Sequence, residues 1–267
     1  MTLPVGQISF GQVNTELGLS ATATISLNDA AVRSLAGVPS GQIAMSNLQG
    51  KSNAPTVIGQ AFGGGYWAGT FSDGASQYYL IVGPVASAQT SGSNARLKTN
   101  TSWSISPNTA CASVIAGPTN TANMIADTAS TYPAANFCDN VTAGGYTDWY
   151  MPARNELELC YYNLKGTIYN NAQNSGNNPN AVPYHGNYNF SAYPAADPAQ
   201  TSAAIFQAPS GSERFASIES YQYFYRSSTT AYYGTNRNQS FRSGNQNYSF
   251  PLNASYLYVR AVRRIAA

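Results

Sequence analysis

Apolar positions recur along this chain in two periods, and the changes of period mark its elements. Between Pro152 and Gly166 the spacing is helical, with Leu157, Cys160, Tyr161 and Leu164 at i, i+3, i+4 and i+7. Pro152 suits a helix entry, Gly166 suits a stop, and Glu156 and Glu158 fall near the positive end of the helix dipole. A second helix is expected from about Thr121 to Thr131, with Met124, Ile125 and Thr128 on one face, resuming after Pro133 towards Cys138. Asn28 is placed to cap a short helix from Asp29 to Leu35 that stops at Gly37.

Between Val57 and Pro84 the pattern is that of strands. Val57-Ile58, Tyr66 to Phe71 and Gln77 to Val82 are β-favouring runs, separated by Gly63-Gly64-Gly65 and by the hairpin signal Asp73-Gly74. The triple glycine reads as a turn, because no Lys-Ser/Thr pair or helix pattern follows it as a phosphate loop requires. Pro84 ends the set, and Ser87 to Asn94 reads as a loop. Residues 167–201 form a long Asn/Gly/Pro-rich passage without periodicity, expected to be a functional or partner-covered loop. Short β-runs return at Tyr221 to Ser227, Gln239 to Arg242, Tyr248 to Phe250 and Tyr256 to Ile265, the last offering Leu257, Val259, Ala261, Val262 and Ile265 to a core.

Residues 1–52 read as a separate unit. Within it the stretch from Val5 to Leu19 carries apolar residues at Ile8, Phe10, Val13 and Leu17 and is expected to be too short and glycine-broken to form a core alone. Such a segment calls for a partner surface, on the main domain or on a neighbouring subunit.

Composition changes the picture in one respect. Hydrophobic residues make up 43%, enough for a core, but charged residues only 9% against about 25% in ordinary soluble domains. Asn, Gln, Ser, Thr and Tyr must therefore keep the surface wet, as in extracellular and virion β-rich proteins. The few charges are segregated: through Glu219 there are seven Lys/Arg against eleven Asp/Glu, and after it six arginines and no acid. Those arginines, Arg226, Arg237, Arg242, Arg260, Arg263 and Arg264, either meet an anionic partner or pair internally with Asp148, Glu156 or Glu158. Cys111, Cys138 and Cys160 lack metal-like spacing; they form one disulfide and a spare thiol, or three buried apolar side chains. The first 20 residues show no basic, then apolar, leader pattern, and no apolar run is long enough for a membrane span.

Candidate chemistry is sparse. His185 is the only histidine and stands in the irregular passage, with no cysteine at a nucleophile-like spacing. Of the carboxylates Asp139, Asp148, Glu156, Glu158 and Asp197, most belong to the helix-entry motif or its margins, which argues against a paired-carboxylate hydrolase. No Asp-rich loop points to calcium, and no metal or cofactor is expected. The arginines alone, without a nucleic-acid motif, give no nucleic-acid partner. Between Tyr221 and Arg260, by contrast, tyrosines alternate with asparagine, serine and glycine, the chemistry of an adaptable recognition surface. Tyr232, Tyr233, Asn236, Arg237, Asn238, Arg242, Asn245, Asn247 and Tyr248 are the expected exposed face, meeting either a receptor or sister subunits.

The run Gly144-Gly145-Tyr146-Thr147-Asp148-Trp149-Tyr150-Met151-Pro152-Ala153-Arg154-Asn155-Glu156-Leu157 resembles the signature of bacterial and phage lectin-like domains, which read Gly-Tyr-Thr-Asp-Trp, an apolar-Pro pair and a helix with Glu-Leu. Tyr225-Arg226-Ser227-Ser228-Thr229 resembles that family's Tyr-Trp-Ser-Ser-Thr, with Arg226 in place of the indole, and Tyr258-Val259-Arg260-Ala261-Val262-Arg263-Arg264 resembles its closing Val-Arg-x-Val-Arg. The resemblance spans roughly residues 55–267. It implies an α+β, C-type-lectin-like domain (residues 53–267), with two helices around small twisted antiparallel sheets, related to formylglycine-generating enzymes but without a recognisable reactive cysteine pair. Tyr146, Asp148, Trp149, Pro152, Glu156 and Leu157 would be its scaffold. The stretch Gly6 to Gly18, with Ile25-Ser26-Leu27 and Met45 to Lys51, resembles N-terminal attachment segments of phage tail and fibre proteins. Together the resemblances imply a non-enzymatic bacteriophage virion protein of tail-fibre or tail-tip type. Its partners would be other virion subunits and a host cell-surface glycan or protein. It would form a homo-oligomer, a trimer by analogy with fibres, without membrane insertion. The alternative is a purely structural component (capsid decoration, neck or tail assembly) with no receptor. Templated diversification of the Asn/Tyr/Ser positions is a further reading that the amino-acid sequence leaves open.

Overall fold

The computed structural model describes residues 2–97, 109–171, 193–216, 224–231, 235–246, 249–251 and 257–267. The chain divides into two compact units, one through Thr56 and one from Val57, so the boundary lies slightly beyond the expected Ser52.

The first unit holds helices α1 (Phe10–Glu16) and α2 (Ala30–Ala36). Contrary to expectation, its apolar residues make a core of their own. Leu3, Val13, Val32, Leu35, Ala36 and Leu48 are buried together, with Ile8 and Leu17 partly buried against them. Phe10 alone of the four expected attachment residues stays exposed, as do Val5 and Leu19. What makes so small a core feasible is polar side chains closing the backbone around it. Ser9 and Gln12 form a capping box at α1. Asn14 donates to the carbonyls of Ala21 and Ala23, and Arg33 to those of Val38 and Gly41. At α2 the N-cap is Asp29 rather than Asn28, whose Oδ1 instead accepts from Arg33 Nε (2.8 Å). Gly37 closes the helix in the left-handed region (φ 71°).

The second unit combines helices with two sheets, an α+β arrangement. One sheet has the order β1-β2-β3-β9, from Ala61–Phe62, Gly65–Ser72, Gln77–Val82 and Val262–Ala266. Gly63 and Gly64, both at positive φ, make the two-residue turn between β1 and β2. Val57-Ile58 is a turn rather than a strand. The other sheet has the order β4-β8-β5-β6-β7, from Gln89–Ser91, Tyr258–Arg260, Phe224–Ala231, Thr235–Ser240 and Ser249–Pro251. The expected loop from Ser87 to Asn94 is therefore partly an edge strand, preceded by the short helix α3 (Val85–Ala88) and followed by a 3-10 turn at Gly92–Ala95.

Helices α4 (Gly117–Thr128), α5 (Pro133–Asp139) and α6 (Arg154–Leu164) lie close to the expected spans. Strand alternation assigns them to opposite sides of β3. Leu80 and Val82 join Leu157, Cys160, Tyr161 and Leu164 of α6, with Tyr225 and Phe241. Ile81 joins the core of Met124, Ala134, Ala135, Cys138 and Trp149. All three cysteines are buried thiols. Among the described residues no helix is long and apolar enough to cross a membrane.

Candidate functional site

The Gly144–Leu157 motif runs from an exposed start, which includes Asp148, into the interior from Trp149 onward. Asp148 takes a two-pronged ion pair from Arg263 (2.7 and 2.9 Å), whose guanidinium lies 3.7 Å from the Tyr146 ring centroid. Trp149 is buried and donates Nε1–H to the Ala143 carbonyl at 3.1 Å. Glu156 is fully buried: Oε2 accepts the Ala153 amide (2.8 Å), and Oε1 accepts Arg264 Nε (2.8 Å) and the Tyr150 hydroxyl. Burial raises the Glu156 pKa, opposed chiefly by Arg264. Leu157 is buried in the core, and Pro152 in the turn before α6.

The C-terminal arginines are divided by what surrounds them. Arg260 is buried against Glu213 (2.8 Å) and also donates to the carbonyls of Gly83 and Glu213. Arg263 and Arg264 pair with Asp148 and Glu156, as the internal-pairing reading expects. Arg226 is buried with Asn236 (2.6 Å). Arg237 and Arg242 form no ion pair with a described carboxylate; Arg237 is half-buried, and Arg242 is exposed over the Tyr169 ring, 4.7 Å from its centroid.

Asn236 and Asn238, expected on the exposed face, are instead buried. The cause is a bulge in β5: its register against β6 shifts between Arg226 and Thr230, so backbone groups there lose ladder partners. Asn236 donates to the Ser227 carbonyl (3.0 Å), the Ser227 hydroxyl donates to the Arg237 carbonyl (2.8 Å), and Asn238 donates to the Asn236 carbonyl (2.9 Å). The side chains substitute for missing ladder bonds. Asn245, half-buried, stays with Arg237 and Arg242 at the hairpin end, where its carbonyl accepts from the Ser240 amide. Gly244 fixes that turn, since it has φ 75° and a Cβ there would stand 2.3 Å from the Tyr161 ring. Tyr232, Tyr233, Asn247, Tyr248 and His185 lie outside the described residues.

Behind the hairpin lies a polar network absent from the sequence expectation. Arg154 donates Nε–H to Gln246 (3.1 Å), and Gln246 donates to Gln239. Glu158, one turn along α6, is buried and accepts the Tyr193 hydroxyl at Oε1 (2.8 Å), with the Gln246 amide also near its carboxylate. Burial pushes the Glu158 carboxyl up to about 7, restrained by Tyr193 and Arg154. Burial likewise works against the Arg154 charge; Glu158 supports that charge and Arg237 opposes it. The i, i+4 spacing of Arg154 and Glu158 on a helix was the available signal for this group.

The irregular passage is fastened at both ends. Lys165 donates to the Tyr169 carbonyl, Asn171 Oδ1 and the Pro198 carbonyl (2.6, 2.9 and 3.0 Å). Asn171 in turn donates its side-chain amide to the carbonyls of Pro194, Ala195 and Pro198. Among the described residues no group of three or more His, Cys, Asp or Glu side chains is arranged to hold a metal ion. Compared with protein-family models, curated proteins and solved structures, the chain has no match.

Proposed function

We propose that the chain is a non-enzymatic bacteriophage virion protein of tail-fibre or tail-tip type, whose second unit is a C-type-lectin-like domain that binds a host surface glycan or receptor through its C-terminal hairpin. The observation that carries this reading is the division of the arginines. Arg260, Arg263 and Arg264 are paired with carboxylates of the same unit, whereas Arg237, within β6, and Arg242, in the turn after it, form no ion pair with a described carboxylate; that turn is fixed by Gly244 and the Gln239–Gln246 bond. A guanidinium left over by a well-satisfied scaffold offers directional donors to hydroxyl, carboxylate or carbonyl groups of a ligand. The first unit serves as the virion attachment, using the exposed Phe10, Val5 and Leu19 rather than the whole set of four apolar residues.

These same exposed apolar side chains favour the second reading, a purely structural virion component in which the hairpin meets sister subunits. A glycan array and a host-adsorption assay separate the two. Receptor binding predicts array signal and a loss of about tenfold or more in affinity for Arg237→Ala with Arg242→Ala, since each charge-assisted bond contributes about 1.5–3 kcal/mol. A silent array and unchanged adsorption, with normal particle assembly, would overturn it in favour of the structural role.

A further inference from the structure

We propose that a second cleft in the same unit, formed by α3, the Gly92–Ala95 turn and α5, binds a neutral sugar residue. The cleft encloses about 440 Å³, at the lower end of the range for small-ligand sites. Ser87, Asn94, Asn136, Phe137, Asn140 and Thr142 line it, and none of its lining side chains is ionisable. The inference concerns different residues from the hairpin and does not rest on the reading given for it.

The chemistry of the lining is what points to a ligand: Ser87, Asn94, Asn140 and Thr142 are exposed and Asn136 half-buried, so neutral amide and hydroxyl groups stand open to the cleft. Asn140 donates to the Asn136 carbonyl (2.7 Å) and to Asn136 Oδ1 (3.1 Å), which orients both amides. Asn136 Nδ2, Asn140 Oδ1 and the side chains of Ser87, Asn94 and Thr142 form no hydrogen bond among the described residues. The cleft thus gathers amide and hydroxyl groups with both donor and acceptor capacity to spare. Sugar hydroxyls also donate and accept, so they match this set, while an ionic ligand would find no counter-charge. Phe137, half-buried between them, offers ring surface to a sugar C–H face.

The walls are preformed. α5 enters through Pro133 and anchors through the buried Ala134, Ala135 and Cys138. The Ala134 amide donates to the Arg96 carbonyl (3.0 Å), tying α5 to the segment that carries Asn94. The Ala143 carbonyl is fixed by Trp149. The backbone of the walls is fixed, but the exposed lining side chains must be ordered on binding and the shape is open, which suits only weak affinity, a dissociation constant of about 1 mM for a single residue.

Saturation-transfer NMR on the full chain tests this, with the methyl glycosides of galactose, glucose, mannose and N-acetylglucosamine, and with N-acetylneuraminic acid as a charged comparison. At least one neutral glycoside should give saturable transfer that weakens about tenfold in Asn94→Ala combined with Asn136→Ala. Asn94→Trp, at an exposed position, should block the cleft without touching the core and abolish the signal. Arg237→Ala with Arg242→Ala should leave it intact. The proposal is overturned if no neutral glycoside shows saturable transfer, or if only the charged sugar does. It is equally overturned if the arginine variant removes the signal while Asn94→Trp keeps it; that last result would leave the hairpin reading standing. Failure of the hairpin variants to affect adsorption bears on the hairpin alone.

Discussion

Two groups of arginines in the last 31 residues teach opposite lessons. In β8 and β9, Arg260, Arg263 and Arg264 each meet a carboxylate and at least one main-chain carbonyl, so the charge is satisfied inside the fold. In the hairpin, Arg237 and Arg242 have no such setting. The side chain is the same; what differs is whether irregular backbone nearby supplies acceptors. Arg260 depends on Gly83 and Glu213, which are remote in sequence and brought together only by the fold. A basic segment is therefore not a basic surface until its acceptors have been counted.

The strongest way to break the comparison is Arg260→Met. If the charge of Arg260 is structural, its loss strands the Glu213 carboxylate in the interior and lowers stability by about 3–5 kcal/mol in urea denaturation. A change near zero would place Arg260 with the hairpin arginines.

Glu158 sharpens it from the other side, as a buried acid bonded by neutral side chains rather than by a close ion pair. Its folded pKa of about 7 lies above its unfolded value, so between about pH 4.5 and 7 the native state holds the proton more tightly. Stability from this group is therefore present at low pH and lost as pH rises through about 7, by about 3 kcal/mol in total. Glu158→Gln should flatten that fall when denaturation is compared at pH 5 and pH 8; an unchanged slope would show that Glu158 is ionised throughout.

The smallest effects come from the partly exposed pair and the hairpin. Asp148 is half open to solvent, so Arg263→Ala should cost only about 1 kcal/mol, with some further loss of packing on Tyr146. Arg237→Ala or Arg242→Ala should change stability by no more than about 0.5 kcal/mol. Thermal melts of the three variants rank them directly, and parity between Arg263 and Arg237 would erase the distinction.

Much of the second unit was legible because local signals and packing agree there. Pro152, then Leu157, Cys160, Tyr161 and Leu164, gave α6; Asp73-Gly74 gave the β2–β3 hairpin. Asn236 and Asn238 were misread because a polar strand normally faces water, and nothing local announces that a bulge will consume their amides. Helix α1 carries glycine, asparagine and threonine and looks like loop by propensity, although Ser9 and Gln12 stand at capping-box spacing. The Glu213–Arg260 pair and the α5 cleft join segments far apart in sequence, and no periodicity encodes them.

The fastening around Lys165 and Asn171 has a bearing on how this chain can change. Lys165 and Asn171 hold Tyr169 on one side and Pro194, Ala195 and Pro198 on the other, so two segments well apart in sequence depend on the same two side chains. Loss of either side chain by mutation would therefore release both segments at once.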